Sequence, residues 1–407
     1  MVEQPRPAPV PIRRSAARET NLPALTGVRF MLALWVILYH LTGPRGMLGG
    51  WAQSLGPAAF SLARGGYLAV NIFFILSGFV LARRYCSTQW NRLELVRYGM
   101  RRFARIYPVY AVSLAIMLPY IWADRLPWTG VIPGPSKAAV VAEYVFLLQG
   151  WAGKLPVNWN TPAWSLSCEV FFYACFPAMM LMLTRRRLLN AACMILSACA
   201  AGLAVSVFHV PVTSQPLIHF ADFLAGIAAA ALFDILSAQS ILQRRGYLLY
   251  APALAAAVAV IARPDLISAW MSIDTSIRLL GAAAVVGLGL GGGAFADALS
   301  HRTAVHLGHA SYALYILHIP ILWWYKRWFG WLSGPLPAGY VALIYVGAAV
   351  GISSLVFRSF EEPLNRRLRN LGAADIGLRN PTVREKAVFS VVGKSGARVR
   401  RVRSIGG

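Results

Sequence analysis

Apolar runs of about twenty residues, each long enough to cross a bilayer as a helix, recur along the whole chain. They fall near residues 23–42, 66–82, 106–123, 162–183, 188–208, 216–236, 247–262, 277–296, 304–325 and 338–358. This pattern predicts an all-α, polytopic membrane protein with about ten transmembrane helices. The run at 247–262 is short, and residues 141–149 fit an interfacial or re-entrant helix as well as a loop. No internal repeat of helix-sized units is visible.

Polar residues inside these runs are the departures that need a reason. The stretch from Leu25 to His40 holds Arg29 and His40 as its only readily charged side chains. Eleven positions separate them; at ~100° per residue that is about three turns plus ~20°, so one helix face carries both, roughly 16 Å apart along the axis. A guanidinium in hydrocarbon costs several kcal/mol, so the stripe is expected to face a protein cavity.

Four further stretches hold candidate chemistry. Ser77 and Gly78 lie in an apolar helix, where small residues allow close packing and where Ser77 also fits a pore lining. Ahead of the run at 106–123, Arg97, Arg101, Arg102 and Arg105 recur at spacings of three and four, so one helix face can offer several guanidiniums to phosphates. A lipid-headgroup anchor explains the same charges. In NTPAWSLSCEV, Pro162 suits a first helical turn, Trp164 and Ser165 follow, and Glu169 lies deeper, needing a partner. Glu169 is expected to meet His40 at similar depth. Asp222 is an ion-pair candidate inside another apolar run, and Ser311, Tyr315 and His318 form one stripe at i, i+4 and i+7.

Of the 407 residues, 57% are hydrophobic and 13% charged, with a formal net charge of +24. In a soluble chain that charge would suggest nucleic acid. Here the arginines cluster between apolar runs (Arg83 to Arg105, Arg185 to Arg187, Arg244 and Arg245, Arg302, Arg358 to Arg369) on what becomes one side, as the positive-inside rule predicts, so nucleic acid is excluded as a partner. Both termini then face the cytoplasm of a cell inner membrane crossed many times. The opposite side is poorer in positive charge, holding Arg64 and Arg278 among a few others. Residues 1–21, rich in Pro and Arg, read as a disordered cytoplasmic segment without a cleavable signal. Residues 22–370 form the membrane domain, and 371–407 a basic, disordered cytoplasmic tail suited to anionic lipid. Cys86, Cys168, Cys175, Cys193 and Cys199 have no metal-ligand spacing and read as reduced packing residues.

Taken in order, these stretches resemble the integral-membrane acyltransferase 3 family. Its arginine, ten residues, histidine signature is similar to Arg29 to His40; its FFxLSGF to Phe73–Phe79; its basic RxxR before IYP to Arg102–Pro108. Trp164–Glu169, Ser311–His318, and the closing Glu362 and Pro363 resemble three further family motifs, so the likeness runs from residue 23 to about 370. Asn71, Val170 and Asp222 depart from the residues usual there. Many members also append an esterase-like domain, where this chain has the short basic tail.

The resemblance implies acyl transfer, most often of acetyl, from cytoplasmic acyl-CoA to a hydroxyl of a glycan, glycolipid or related acceptor, with acyl-CoA as co-substrate and no bound cofactor or metal. On that reading His40 is the general base, Glu169 orients its ring, and Arg29 contacts the donor or a buried acid. Arg101, Arg102 and Arg105 hold the donor's phosphates, and Ser77, Trp164, Ser165, Asp222, Tyr315 and His318 line or support the path. Trp128, Trp151, Trp159, Asn158 and Asn160 are of the kinds that bind sugars. A transporter or flippase using Arg29, His40, Glu169 and Asp222 as an ion or substrate path is the competing class.

Overall fold

The computed structural model describes residues 22–44, 46–122, 137–151, 159–183, 196–197, 200, 214–266, 272–330 and 336–374. The helices are α1 (Pro23–Leu41), α2 (Gly49–Ser54), α3 (Pro57–Arg64), α4 (Ala69–Tyr85), α5 (Arg92–Trp122), α6 (Lys137–Val145) and α7 (Trp164–Leu183). They continue with α8 (Gln215–Ser237), α9 (Tyr247–Ala262), α10 (Ile273–Leu290), α11 (Ala294–Leu299), α12 (Arg302–Phe329), α13 (Ala338–Val356) and α14 (Glu362–Ala374). No strand occurs among the described residues. The protein is an all-α, multi-pass membrane protein.

Among the described residues seven helical stretches have the length and apolar character to cross a membrane: Pro23–Leu41, Pro57–Tyr85, Arg92–Tyr120, Thr161–Leu181, Gln215–Ser237, Ile273–Leu290 and Ala338–Leu368. Three expected spans are therefore not among them. The run at 188–208 lies outside the described residues except for 196–197 and 200. The run at 247–262 forms α9, only 16 residues long. The run at 304–325 lies in α12, which is long enough at 28 residues but carries His306, His309 and His318. Every residue of α12 from Ala310 to Pro320 is buried, so protein and not lipid surrounds it and its polar groups need no hydrocarbon-compatible face.

Two boundaries move. The third run was expected from residue 106, but α5 begins at Arg92 and continues through Pro108. The basic segment is rich in Arg, with Leu93 and Leu95, good helix formers, and so extends the span as one helix. The eighth run was expected to reach residue 296, yet α10 stops at Leu290, because Gly291, Gly292 and Gly293 follow with φ of 72°, 85° and 85°. Residues 141–149 divide between the end of α6 and a turn in which Leu147 has φ 56°.

Small residues set the closest helix pairs. A Cβ at Gly78 would lie 2.2 Å from the Phe223 carbonyl oxygen, and one at Gly226 would lie 2.0 Å from that of Ile75, so α4 and α8 interlock reciprocally. The packing role read for Gly78 is thus present. A Cβ at Gly308 would lie 1.9 Å from the Thr26 carbonyl oxygen, which seats α12 against α1. α1 packs against both α12 and α4.

Asp222 forms the ion pair its burial required. Its Oδ1 accepts from Arg278 Nε at 2.7 Å, and its Oδ2 meets His219 Nδ1 at 2.9 Å. Arg278, expected at the opposite end of its span, does lie in α10 but is only 5% exposed there. The free cysteines among the described residues are Cys86, Cys168 and Cys175.

Candidate active site

The Arg29 stripe opens onto a cavity of ≈ 220 Å³ between α1, α4, α5, α7 and α12. Arg29, Arg83, Arg102, Arg105, Glu169, Ser77, Tyr173 and Thr26 give it its polar lining, and residues such as Phe73, Ile106 and Tyr312 give apolar walls. Tyr173 stands one turn after Glu169, and its hydroxyl donates to Glu169 Oε2 at 3.0 Å. Ser77 Oγ lies 3.4 Å from the same hydroxyl. Glu169 also feels the charges of Arg29, Arg105 and Arg102. The predicted carboxylate is therefore bound to the arginine end of the stripe. Three guanidiniums against this acid leave the chamber cationic, a setting for an anionic group.

Arg101 was expected beside Arg102 and Arg105. It lies 100° around the helix from Arg102 and does not line the cavity, whereas Arg102 and Arg105, three apart, both do. The Arg105 guanidinium lies 5.1 Å from the centre of the Tyr312 ring, and Arg102 lies 5.6 Å from that of Tyr173.

His40 is not on that cavity. Its ring sits 5.0 Å from that of His318, one face of α1 meeting α12 at both ends of the stripe. Glu169 was expected as its partner, but Glu169 is committed to Tyr173 and the arginines, and His318 takes its place. The ring hydrogens follow from the geometry. His40 Nδ1 lies 2.9 Å from the Val36 carbonyl and His318 Nδ1 lies 2.6 Å from that of Tyr315. A carbonyl only accepts, so each Nδ1 carries the hydrogen and donates. The His318 Nε2 lone pair then faces the His40 Nδ1–H at 3.4 Å. That leaves His40 Nε2 as an unprotonated base, with its tautomer held by Val36 and His318.

Phe73 on the cavity wall packs against Tyr315, their rings 5.8 Å apart, and the Tyr315 ring lies 6.2 Å from that of His318, so these two rings link the cavity to the histidine pair. The Tyr315 hydroxyl donates to Ser165 Oγ at 3.0 Å, and Ser165 donates to the Pro162 carbonyl at 2.9 Å. Ser311 instead bonds the Gly308 carbonyl within its own helix. Trp164 packs its ring 5.2 Å from that of His219, so it supports the Asp222 pair and does not line the cavity. Trp159 and Asn160, read as sugar-binding types, are buried: Trp159 Nε1 donates to the Leu114 carbonyl, and Asn160 Nδ2 donates to Ser113 Oγ and the Ile316 carbonyl. Trp151 is 40% exposed. Trp128 and Asn158 lie outside the described residues. Sequence reading missed Tyr173, Tyr312, His219 and Glu361; the i, i+4 spacing of Glu169 and Tyr173 was the available signal.

A family model described as an acyltransferase domain, acyltransferase 3, matches residues 22–358. The chain belongs to this family. The acyltransferase 3 chain is 30% identical over 393 residues to the acyltransferase MdmB of Streptomyces mycarofaciens, covering 86% of this chain and 93% of that protein. It is 22% identical to the peptidoglycan O-acetyltransferase OatA of Listeria monocytogenes, covering 85% of this chain and 56% of that one. The figures for an O-acetyltransferase OatA of Staphylococcus aureus are 22%, 85% and 57%. The chain thus spans a little over half the length of the OatA proteins. No solved structure matches the chain. The protein is a membrane acyltransferase.

Proposed function

We propose that this acyltransferase moves an acyl group, most simply acetyl, from cytoplasmic acyl-CoA to a hydroxyl of a glycan, glycolipid or related acceptor presented on the other side of a cell inner membrane. The observation that carries this reading is one helix face bearing two centres: a cationic cavity at Arg29 and a base with a free Nε2 at His40. The O-acetyl transfer named for the OatA relatives agrees with it. On this reading the arginine-rich ends of the helices, and both chain termini, face the cytoplasm.

The donor's phosphates lie against Arg102 and Arg105, and its pantetheine arm runs along the Arg29 stripe. Phe73 and Tyr315 link the cavity to the histidines, so the thioester reaches His40 when those rings turn aside. The acceptor O–H gives its proton to His40 Nε2 as its oxygen attacks the thioester carbonyl. The C–S bond breaks, and the departing thiolate takes the proton back from the imidazolium. His318 Nε2 and the Val36 carbonyl hold the Nδ1–H through both stages, the place a carboxylate takes in other histidine bases. A transporter path is less well supported, because the buried Asp222 expected to contribute to it is satisfied by Arg278 and His219.

The test is transfer by the purified protein, with no gradient present, of isotope-labelled acetyl from acetyl-CoA into acceptors that mass spectrometry identifies. The comparison is between envelope glycans and lipids from cells with and without the protein. Labelled product is expected. Transport of acyl-CoA or of the acceptor without covalent transfer would overturn the proposal.

A further inference from the structure

Glu361 is a buried carboxylate that the chemistry above does not use. The inward positions of α13 are Ala342, Tyr345, Ala349 and Ser353, exposed by 4%, 0%, 0% and 1%. Regular helix would bring residue 356 or 357 and then residue 360 inward, the latter one heptad after 353. Instead the chain widens into a π turn at Phe357–Glu361, which rephases the face by one residue. Phe360 is left 37% exposed and Glu361 is 2% exposed. The widened turn thus exchanges a phenylalanine for a carboxylate at the inner position.

There the Arg105 guanidinium donates to Glu361 Oε1. Glu361 Oε2 is buried and has no hydrogen-bond partner among the described residues. Arg105 is held on its other side by the Tyr312 ring, and the Tyr312 hydroxyl donates to the Ile106 carbonyl at 2.5 Å. A long, flexible side chain is thereby fixed at the cavity wall before any ligand arrives, which lowers the ordering cost of binding an anion.

We infer that Glu361 is a positioning residue that presents Arg105 to the phosphates of the donor. The inference rests on the donor reading given above. Glu361 acts through Arg105 and touches no reacting atom. Because a carboxylate also repels a phosphate, its removal would tighten binding if repulsion dominated; two-sided clamping of Arg105 makes orientation the larger effect.

The experiment measures coenzyme A and pantetheine binding by calorimetry to the full-length protein in nanodiscs. Wild type, Glu361→Gln, Glu361→Asp, Arg105→Ala and the Glu361→Gln/Arg105→Ala pair are compared. Glu361→Gln is expected to weaken coenzyme A about tenfold, since a charge-assisted bond that orients the phosphate ligand is lost. Pantetheine, which lacks the phosphates, should bind unchanged, and Glu361→Asp should recover part of the loss. The double variant should lose no more than Arg105→Ala alone, the signature of two residues acting as one. Equal loss for pantetheine would show a merely structural role and overturn the inference. Unchanged or tighter coenzyme A binding in Glu361→Gln, with wild type binding normally, overturns this inference alone. Absence of coenzyme A binding to wild type overturns the donor reading with it.

Discussion

At the scale of single residues, the site rests on which atom of each side chain is left unoccupied. His40 has Nδ1 engaged by Val36 and His318, so Nε2 is the atom available to take a proton. His40→Ala is expected to lower acyl transfer by roughly 100- to 10,000-fold while the protein still inserts and melts as wild type does. Retention of more than about a tenth of the activity would remove His40 from its role. His318→Leu should cost less, because Val36 still holds the tautomer, and should act on kcat more than on the donor's KM. Helical spacing alone reveals that Arg29 and His40 share a face. It does not reveal that Glu169 belongs to the arginine end, since depth along α7 depends on how that helix is set against α1. The Glu361 side chain was hidden for another reason: a one-residue π insertion breaks the 3.6-residue period from which inward positions are read.

Among the elements, α12 shows where hydropathy stops being informative. It is enclosed by other helices along Ala310 to Pro320, so His318 and its tyrosines there meet protein groups and its apolar content understates its depth. The opposite holds for α4 and α8, where Gly78 and Gly226 announce close packing directly. Between α8 and α10 the Asp222–Arg278 bond ties two apolar helices through charges exposed by 0% and 5%. Asp222 was legible as a buried acid. Its partner was not, because Arg278 lies near the end of an apolar run and reads as an interfacial anchor. Arg278→Met leaves the buried Asp222 with His219 alone as its partner and should destabilise the protein by about 3–5 kcal/mol in denaturant unfolding. Asp222→Leu/Arg278→Met should recover much of that loss. A single variant as stable as wild type would show that the pair contributes nothing to the α8–α10 junction.

For the whole molecule, the proposed function depends on α1 carrying its two centres toward opposite faces of the membrane. Positive charge between apolar runs is what that orientation is argued from, while packing decided which described helices present a lipid-compatible face. Pro44 and Ser87 are exposed beyond the His40 end of α1 and the arginine-rich end of α4. In a background free of native cysteines, Pro44→Cys should react with a membrane-impermeant thiol reagent in intact cells, and Ser87→Cys only after permeabilisation. The reverse pattern would invert the topology. The central claim is tested most directly by supplying radiolabelled acetyl-CoA to sealed membrane vesicles of both orientations, carrying wild type or His40→Ala. Label should enter a hydroxyl-bearing product only with wild type in inverted vesicles, whose cytoplasmic face is outward; equal labelling by His40→Ala, or labelling confined to right-side-out vesicles, would contradict the account.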